Sequence, residues 1–211
     1  MTGLMRCAAR SARKAKGDGH LRRAEILQAA ERIFVRDGYA AATIRRIADE
    51  VGVSSTALYM HFRDKGEMLL EICEGAFSEL IARNTAILAE PCDAAERVRR
   101  MLDAYLDFAL ANPNAYWLVF DRAANEATAG HDEAIGHSLG KQCYAVFQSA
   151  VADLGAAGRL HQPDPDLTAQ ALWAATHGLA SLLITKSGFP WADPVAVRGV
   201  LLDGLFRGLV R

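Results

Sequence analysis

Apolar residues along this chain recur at intervals of three and four, with polar residues between them, the rhythm of helices that each bury one face. Ile26, Ala30, Ile33 and Phe34 share a face of the first predicted helix, which follows the polar stretch KGDGH and stops at DGY, where Gly38 suits a left-handed terminal residue. Thr43 is placed to cap a second helix, whose Ile44, Ile47, Ala48 and Val51 fall at i, i+3, i+4 and i+7. Gly52 permits a reversal. Ser54 caps a third helix running to Phe62, with Leu58 and Phe62 as its buried stripe. Asp64 and Glu67, spaced as a capping box, open a fourth helix to about Glu90 that turns Met68, Leu69, Ile72, Ala76 and Leu80 inward.

The rhythm persists to the end of the chain. Asp93 and Glu96 repeat the capping-box spacing, Asn112 stops that helix and Pro113 opens the next. A polar stretch from Asn125 to Gly130 reads as a loop before a helix to about Leu154. Two last helices are expected from about Asp164 to Lys186 and from about Pro194 to Leu209. No alternating or β-branched run is long enough for a sheet, so the expected fold class is all-α. The chain divides into a flexible basic arm over residues 1–20, a three-helix unit over 21–66 and a larger helical domain over 67–211.

Composition changes this picture in two respects. The 211 residues are 51% hydrophobic, enough for a substantial core, and the overall charge of −1 conceals an asymmetry. Residues 1–65 hold 13 Lys and Arg against 7 Asp and Glu, while the remainder holds 11 against 18. A basic first third joined to an acidic remainder points to a module for a polyanion on a domain with another task. The four cysteines, Cys7, Cys73, Cys92 and Cys143, lack metal-type spacing, which fits a reducing cytosol and ordinary packing roles. No run approaches the ~20 apolar residues of a membrane span, and no secretory leader is visible.

The spacing of Ala48, Gly52, Val53 and Leu58 is that of a helix-turn-helix: a small residue where two helices cross, a glycine at the turn, and apolar residues that lock the second helix at an angle. In that geometry the third helix enters the major groove, with Ser55, Thr56 and Ala57 nearest the base edges. Hydroxyls and methyls discriminate weakly among bases, so DNA shape is expected to share in specificity. Thr43, Arg45, Tyr59, His61 and Lys65 stand around this helix as candidate phosphate contacts. Each alone reads equally well as a cap, a surface side chain or an ion-pair partner; their convergence on one motif favours DNA.

The segment AEILQAAERIFVRDGYAAATIRRIADEVGVSSTALYMHFRDKGEMLLEI resembles the DNA-binding domain of the TetR family of bacterial transcriptional regulators. The resemblance implies a cytoplasmic homodimer on double-stranded DNA, a variable ligand domain, and repression of a palindromic operator relieved by a small molecule. It implies DNA contacts at Thr43, Ser54, Ser55, Thr56, Tyr59, His61 and Lys65. Ser55 and Thr56 stand where a basic residue and a glycine are frequent, and Met60 where a polar residue is frequent, so the operator sequence is not implied. Arg6, Arg10, Arg13, Lys14 and Lys16 of the arm either reach an adjacent minor groove or remain disordered.

Farther on, LWAATHGLASLLI carries Trp173, His177 and Gly178 and is similar to a C-terminal domain of TetR-like regulators named for its Trp-His-Gly. Ala174, Gly178 and Ser181, with Gly204 and Gly208 on the last helix, form small-residue faces at which partner helices can approach. The last two helices are therefore the expected dimer interface, the alternative being packing within one subunit. An effector pocket is expected among the middle helices, with Tyr105, Phe108, Tyr116, Trp117, Phe120, Gln142, Cys143, Phe147 and His177 as candidates, each of which reads also as plain core.

Two other signals compete. GHSLG around Ser138 matches a hydrolase nucleophile elbow but lacks the preceding apolar strand, and a helical serine hydrolase is carried only as an alternative. A DNA-binding protein without a ligand is another. His131, Asp132, Glu133 and His137 lack metal-site spacing, no phosphate-binding glycine loop is present, and no cofactor, metal or catalytic residue is expected.

Overall fold

A computed structural model of the chain describes residues 19–120 and 133–211, with side chains over 22–120 and 139–211. Among these residues the structure is helical throughout: α1 (Gly19–Asp37), α2 (Ile44–Glu50), α3 (Ser55–Tyr59), α4 (Lys65–Ala89), α5 (Ala94–Ala111), α6 (Pro113–Phe120), α7 (Glu133–Ala156), α8 (Pro165–Thr185) and α9 (Pro194–Leu209). The expected all-α class is observed. Residues 1–18 of the basic arm and the Asn125–Gly130 loop lie outside the described residues, and α1 starts at Gly19, inside the stretch read as arm.

Short polar side chains fix where helices begin. Thr43 and Ser54 accept from the N–H groups of Arg46 and Ala57 at 3.2 and 3.1 Å, and Asp64 accepts from Glu67 at 3.0 Å. Asp93, Asp164 and Asp193 cap α5, α8 and α9 in the same way. Each such cap contributes about 1 kcal/mol by satisfying a backbone donor the helix cannot. Glu67 completes the box by accepting from the N–H of Arg63 at 2.6 Å. Left-handed Gly38 and Gly52, at φ 83° and 68°, make the turns after α1 and α2.

The third helix is shorter than its pattern predicts and ends at Tyr59, not Phe62. The chain tightens there, with Met60 and His61 bonding back three residues to Ala57 and Leu58, because Phe62 must turn into the core, where it is almost fully buried.

One core joins α1 to α4: Ile26, Ile33, Phe34, Ile47, Leu58, Phe62, Met68 and Leu69, with Leu118 of α6 inserted among them. The unit drawn as 21–66 is thus completed by α4 and α6. The remainder packs in smaller clusters. Val98, Met101, Leu102, Val151, Leu154 and Leu172 fill the space between α5, α7 and α8, where Leu202 of α9 also enters. Ala76, Leu80, Phe108 and Cys143 join α4, α5 and α7. An isolated antiparallel bridge between Leu160 and Val210 ties the chain's end to the α7–α8 connection.

α8 amends the reading of apolar runs, since it is long and apolar enough, by length and composition, to cross a bilayer. Its Leu172, Thr176, Leu179 and Ala180 are buried in the bundle, while Leu167, Ala171, Ala174 and Leu182 are exposed. Two apolar faces on one helix explain the total.

Candidate nucleic-acid interface and effector cluster

α2 and α3 meet at Gly52, where Val53 N–H bonds to Ala48 O at 2.9 Å and closes the turn. Leu58 is fully buried, which rotates Thr56, Tyr59 and Met60 outward. Tyr59 is 56% and Met60 85% exposed, an unusual amount of apolar surface to leave in water unless something covers it. Thr43, Arg45 and Ser54 are also exposed, Ser55, Ala57 and His61 partly so. The caps leave function open to Thr43 and Ser54: each oxygen accepts a backbone N–H while the hydroxyl proton stays free to donate to a phosphate.

Lys65 is engaged differently. Its Nζ donates to the carbonyls of Tyr39, Ala40 and Ala42 at 2.7, 3.3 and 3.1 Å and lies 4.4 Å from the Tyr39 ring centroid. All three ammonium protons are therefore spent on the α1–α2 turn, and burial lowers the pKa of Lys65. Lys65 locks the turn that positions Thr43. A phosphate would have to displace one of those carbonyls to use its side chain.

Sequence reasoning missed Arg23. Its guanidinium donates to Glu71 at 3.1 and 2.5 Å, donates to the carbonyl of His61 and stacks 4.0 Å from the Phe62 ring centroid. The hydrogen bond with Glu71 holds its pKa above the usual arginine value. One planar fork thus joins α1, the turn that follows α3, and α4. The signal was an ordinary helix-surface arginine, and only the fold brings it 38 and 48 residues along the chain to its partners.

Of the effector candidates, Tyr105, Tyr116, Phe120 and His177 converge. The hydroxyls of Tyr116 and Tyr105 lie 2.7 and 2.9 Å from His177 Nδ1, and the Phe120 and His177 rings are centred 4.5 Å apart. Trp173, 5.9 Å from His177 between ring centroids, and Tyr144, 5.6 Å from Trp173, extend the cluster; neither was among the candidates. Burial raises the pKa of both Tyr105 and Tyr116 and lowers that of His177, so all three are held neutral.

The other candidates lie elsewhere. Phe108 and Cys143 pack against α4, with Tyr105 at their border, and Phe147 belongs to the α5–α7–α8 core. Trp117 and Gln142 are exposed. Burial pushes the Cys143 thiol up to about 11 and that of Cys73 up to about 12, which leaves both protonated and inert. Ser138 falls inside the continuous helix α7, not on the strand-to-helix turn that an elbow requires. The acidic and histidine group at 131–137 lies outside the described side chains.

Comparison with known proteins gives two family matches. A model described as bacterial regulatory proteins, tetR family, matches residues 26–72, and one described as tetracyclin repressor-like, C-terminal domain, matches residues 98–202. A stretch of 100 residues is 35% identical to the HTH-type transcriptional activator FasR of Mycolicibacterium smegmatis, covering 47% of this chain and 46% of that protein. Another of 93 residues is 41% identical to the nucleoid occlusion factor SlmA of Vibrio vulnificus, covering 44% and 47%. The matched part thus spans about half the length of these curated relatives. The fold superposes on the TetR family transcriptional regulator PfmR of Thermus thermophilus with a TM-score of 0.75 at 22% identity, covering 88% of this chain and 99% of that one. A bacterial regulatory protein in the tetR family from Rhodococcus gives 0.75 at 22%, covering 90% and 98%.

Proposed function

This chain belongs to the tetR family of bacterial regulatory proteins, and from that premise we propose that it is a homodimeric repressor released from a palindromic operator by a small molecule. The observation that carries this reading is the position of α6. Leu118 is buried in the core of the helix-turn-helix unit, while Tyr116 and Phe120 on the same eight-residue helix pack against His177. α4 is shared likewise, with Met68 and Leu69 in the front core and Ala76 and Leu80 behind. A ligand that shifts the ring cluster moves α6, and α6 cannot move without disturbing the packing beneath α1 and α4. A coupling of ~1–3 kcal/mol weakens DNA binding about 5–150-fold.

Operator contact falls to α3: Ser55, Thr56 and Ala57 toward the bases, with Thr43, Arg45, Ser54, Tyr59 and His61 toward phosphates. Lys65 acts by holding the turn before α2. Two chains are needed because one short helix reads only a half-site. The exposed faces of α8 and α9 support the dimer. At Gly178, Gly199, Gly204 and Gly208 an added Cβ would meet nothing within 4 Å among the described residues, so no contact there requires glycine. Each costs its helix about 1 kcal/mol relative to alanine. A partner helix packed against Ala174, Gly178, Val200 and Gly204 gives those residues a reason.

The test is stoichiometry on a duplex selected by the protein itself. Two chains should occupy an intact palindrome, and halving the palindrome should abolish tight binding. A single chain bound with unchanged affinity to the half-site would overturn the dimeric reading.

A further inference from the structure

The ring cluster has a hydrogen-bond polarity that limits what it can hold. The Tyr105 and Tyr116 hydroxyls lie 2.9 and 2.7 Å from His177 Nδ1, and Tyr116 also donates to the His177 carbonyl at 3.3 Å. Each hydroxyl has one proton to place, and that fixes the tautomer of the ring between them. With Tyr105 giving to Nδ1 and Tyr116 to the carbonyl, both protons have an acceptor. A proton on Nδ1 would instead leave Tyr105 facing a donor, with no other hydrogen-bond acceptor among the described residues for its own proton. Nδ1 is therefore the acceptor, and the neutral imidazole carries its proton on Nε2.

That Nε2–H has no partner among the described residues. Beside the imidazole stand Phe120 and Trp173, 41% and 39% exposed, their rings tilted 63° and 44° from it. Tilted rings make a cup suited to edge-to-face contact with another ring. No Lys or Arg among the described residues bonds to a member of the cluster. The nearby acids of α5, Asp103 and Asp107, lie two residues either side of Tyr105 and so on the opposite face of that helix, where they pair with Arg198 at 2.7 and 2.5 Å. A carboxylate or phosphate entering the cup would lose its hydration without gaining a counterion.

We propose that the cup of Phe120, Trp173 and His177 binds the effector as an uncharged, ring-bearing molecule whose single acceptor oxygen, a ketone or an equivalent group, receives the His177 Nε2–H. This rests on the reading of the rear domain as an effector domain. It adds the effector's charge, its shape and the one polar contact that orients it.

Equilibrium dialysis of the full chain against three probes of one shape tests it: fluorenone, fluorene and fluorene carboxylate. Fluorenone is expected to bind about 3- to 10-fold more tightly than fluorene, the worth of one net hydrogen bond, and the carboxylate least. His177→Phe, which keeps a ring and removes the donor, should lower fluorenone to the level of fluorene and leave fluorene unchanged. The ranking in the unsubstituted chain is decisive by itself if that variant misfolds. Tightest binding of the carboxylate, equal binding of ketone and hydrocarbon, or binding of none overturns the assignment. The same preparation is tested on its selected operator. Operator binding without a ketone preference refutes the cup alone, whereas a ketone preference without operator binding refutes the regulator reading and leaves the cup standing.

Discussion

The front and rear of this molecule solve the problem of placing polar groups by opposite means. In the helix-turn-helix unit, Thr43, Ser54 and Asp64 each reach a backbone N–H three residues along the same chain. The core beneath them is a single cluster. In the rear domain the central polar group, His177, meets hydroxyls 61 and 72 residues away, and the buried Asn84 Oδ1, Arg97 Nε and Tyr144 Oη have no hydrogen-bond partner among the described residues. Unsatisfied buried groups cost roughly 1–3 kcal/mol each. The front is built for one geometry, which a reader of DNA requires. The rear retains unmet polar capacity, a property that suits a domain whose packing has to change when something binds.

The largest effect should come from the front core. Phe62→Ala empties a fully packed site and removes the ring under Arg23, so denaturant unfolding should show a loss of about 3–5 kcal/mol together with loss of DNA binding. A loss below 1 kcal/mol would mean that the front is not the rigid half. Arg23→Gln comes next. It leaves the His61 carbonyl and Glu71 without their shared donor, and should cost ~1–3 kcal/mol and weaken binding to all duplexes alike, checked by titration of operator and unrelated DNA. If selectivity changed and overall affinity did not, Arg23 would belong with the base-reading residues.

For the rear, Gly204→Leu should raise the dimer dissociation constant severalfold in sedimentation while leaving the monomer's fold intact, because a Cβ at this position meets nothing within 4 Å among the described residues. A destabilised monomer with an unchanged dimer would reverse the assignment of that face. Acidity probes the buried imidazole. Burial holds the His177 pKa below its ordinary value, so the unfolded chain binds the proton first and stability should fall as pH drops through about 6.5 and below. His177→Gln should shrink the drop in thermal midpoint between pH 7.5 and 5.5, and an equal drop in both proteins would contradict a neutral His177 in the folded chain. The smallest effect is expected at Thr56→Ala, which should alter base preference at one position and little else.

This contrast also explains what could be read before the fold was known. Ala48, Gly52, Val53, Leu58 and the capping residues act on near neighbours, so their spacing carries the geometry with it, and the front helices fall where the periodicity puts them. The exceptions are long-range. Arg23 gave no local sign of its role, Lys65 carried the mark of a phosphate ligand but spends its protons on the α1–α2 turn, and α3 stops early because Phe62 has a tertiary destination. In the rear domain, Tyr105, Tyr116, Phe120 and His177 were legible as aromatic and polar residues on inward faces. Nothing local could separate them from Phe147, which packs in a different core, or from Trp117, which faces water. Trp173 was visible in the sequence as part of a motif, and its place against Tyr144 appears only when α7 and α8 are laid together.

The central claim is that α3 reads DNA as half of a symmetric pair, and selection of bound sequences from random duplex DNA by the purified chain, at two salt concentrations, tests it most directly. Enrichment of a palindrome is expected, with half-sites separated by about one helical turn or a multiple of it and affinity falling steeply as salt rises. Recovery of no common sequence, with binding absent or indifferent to salt, would contradict it.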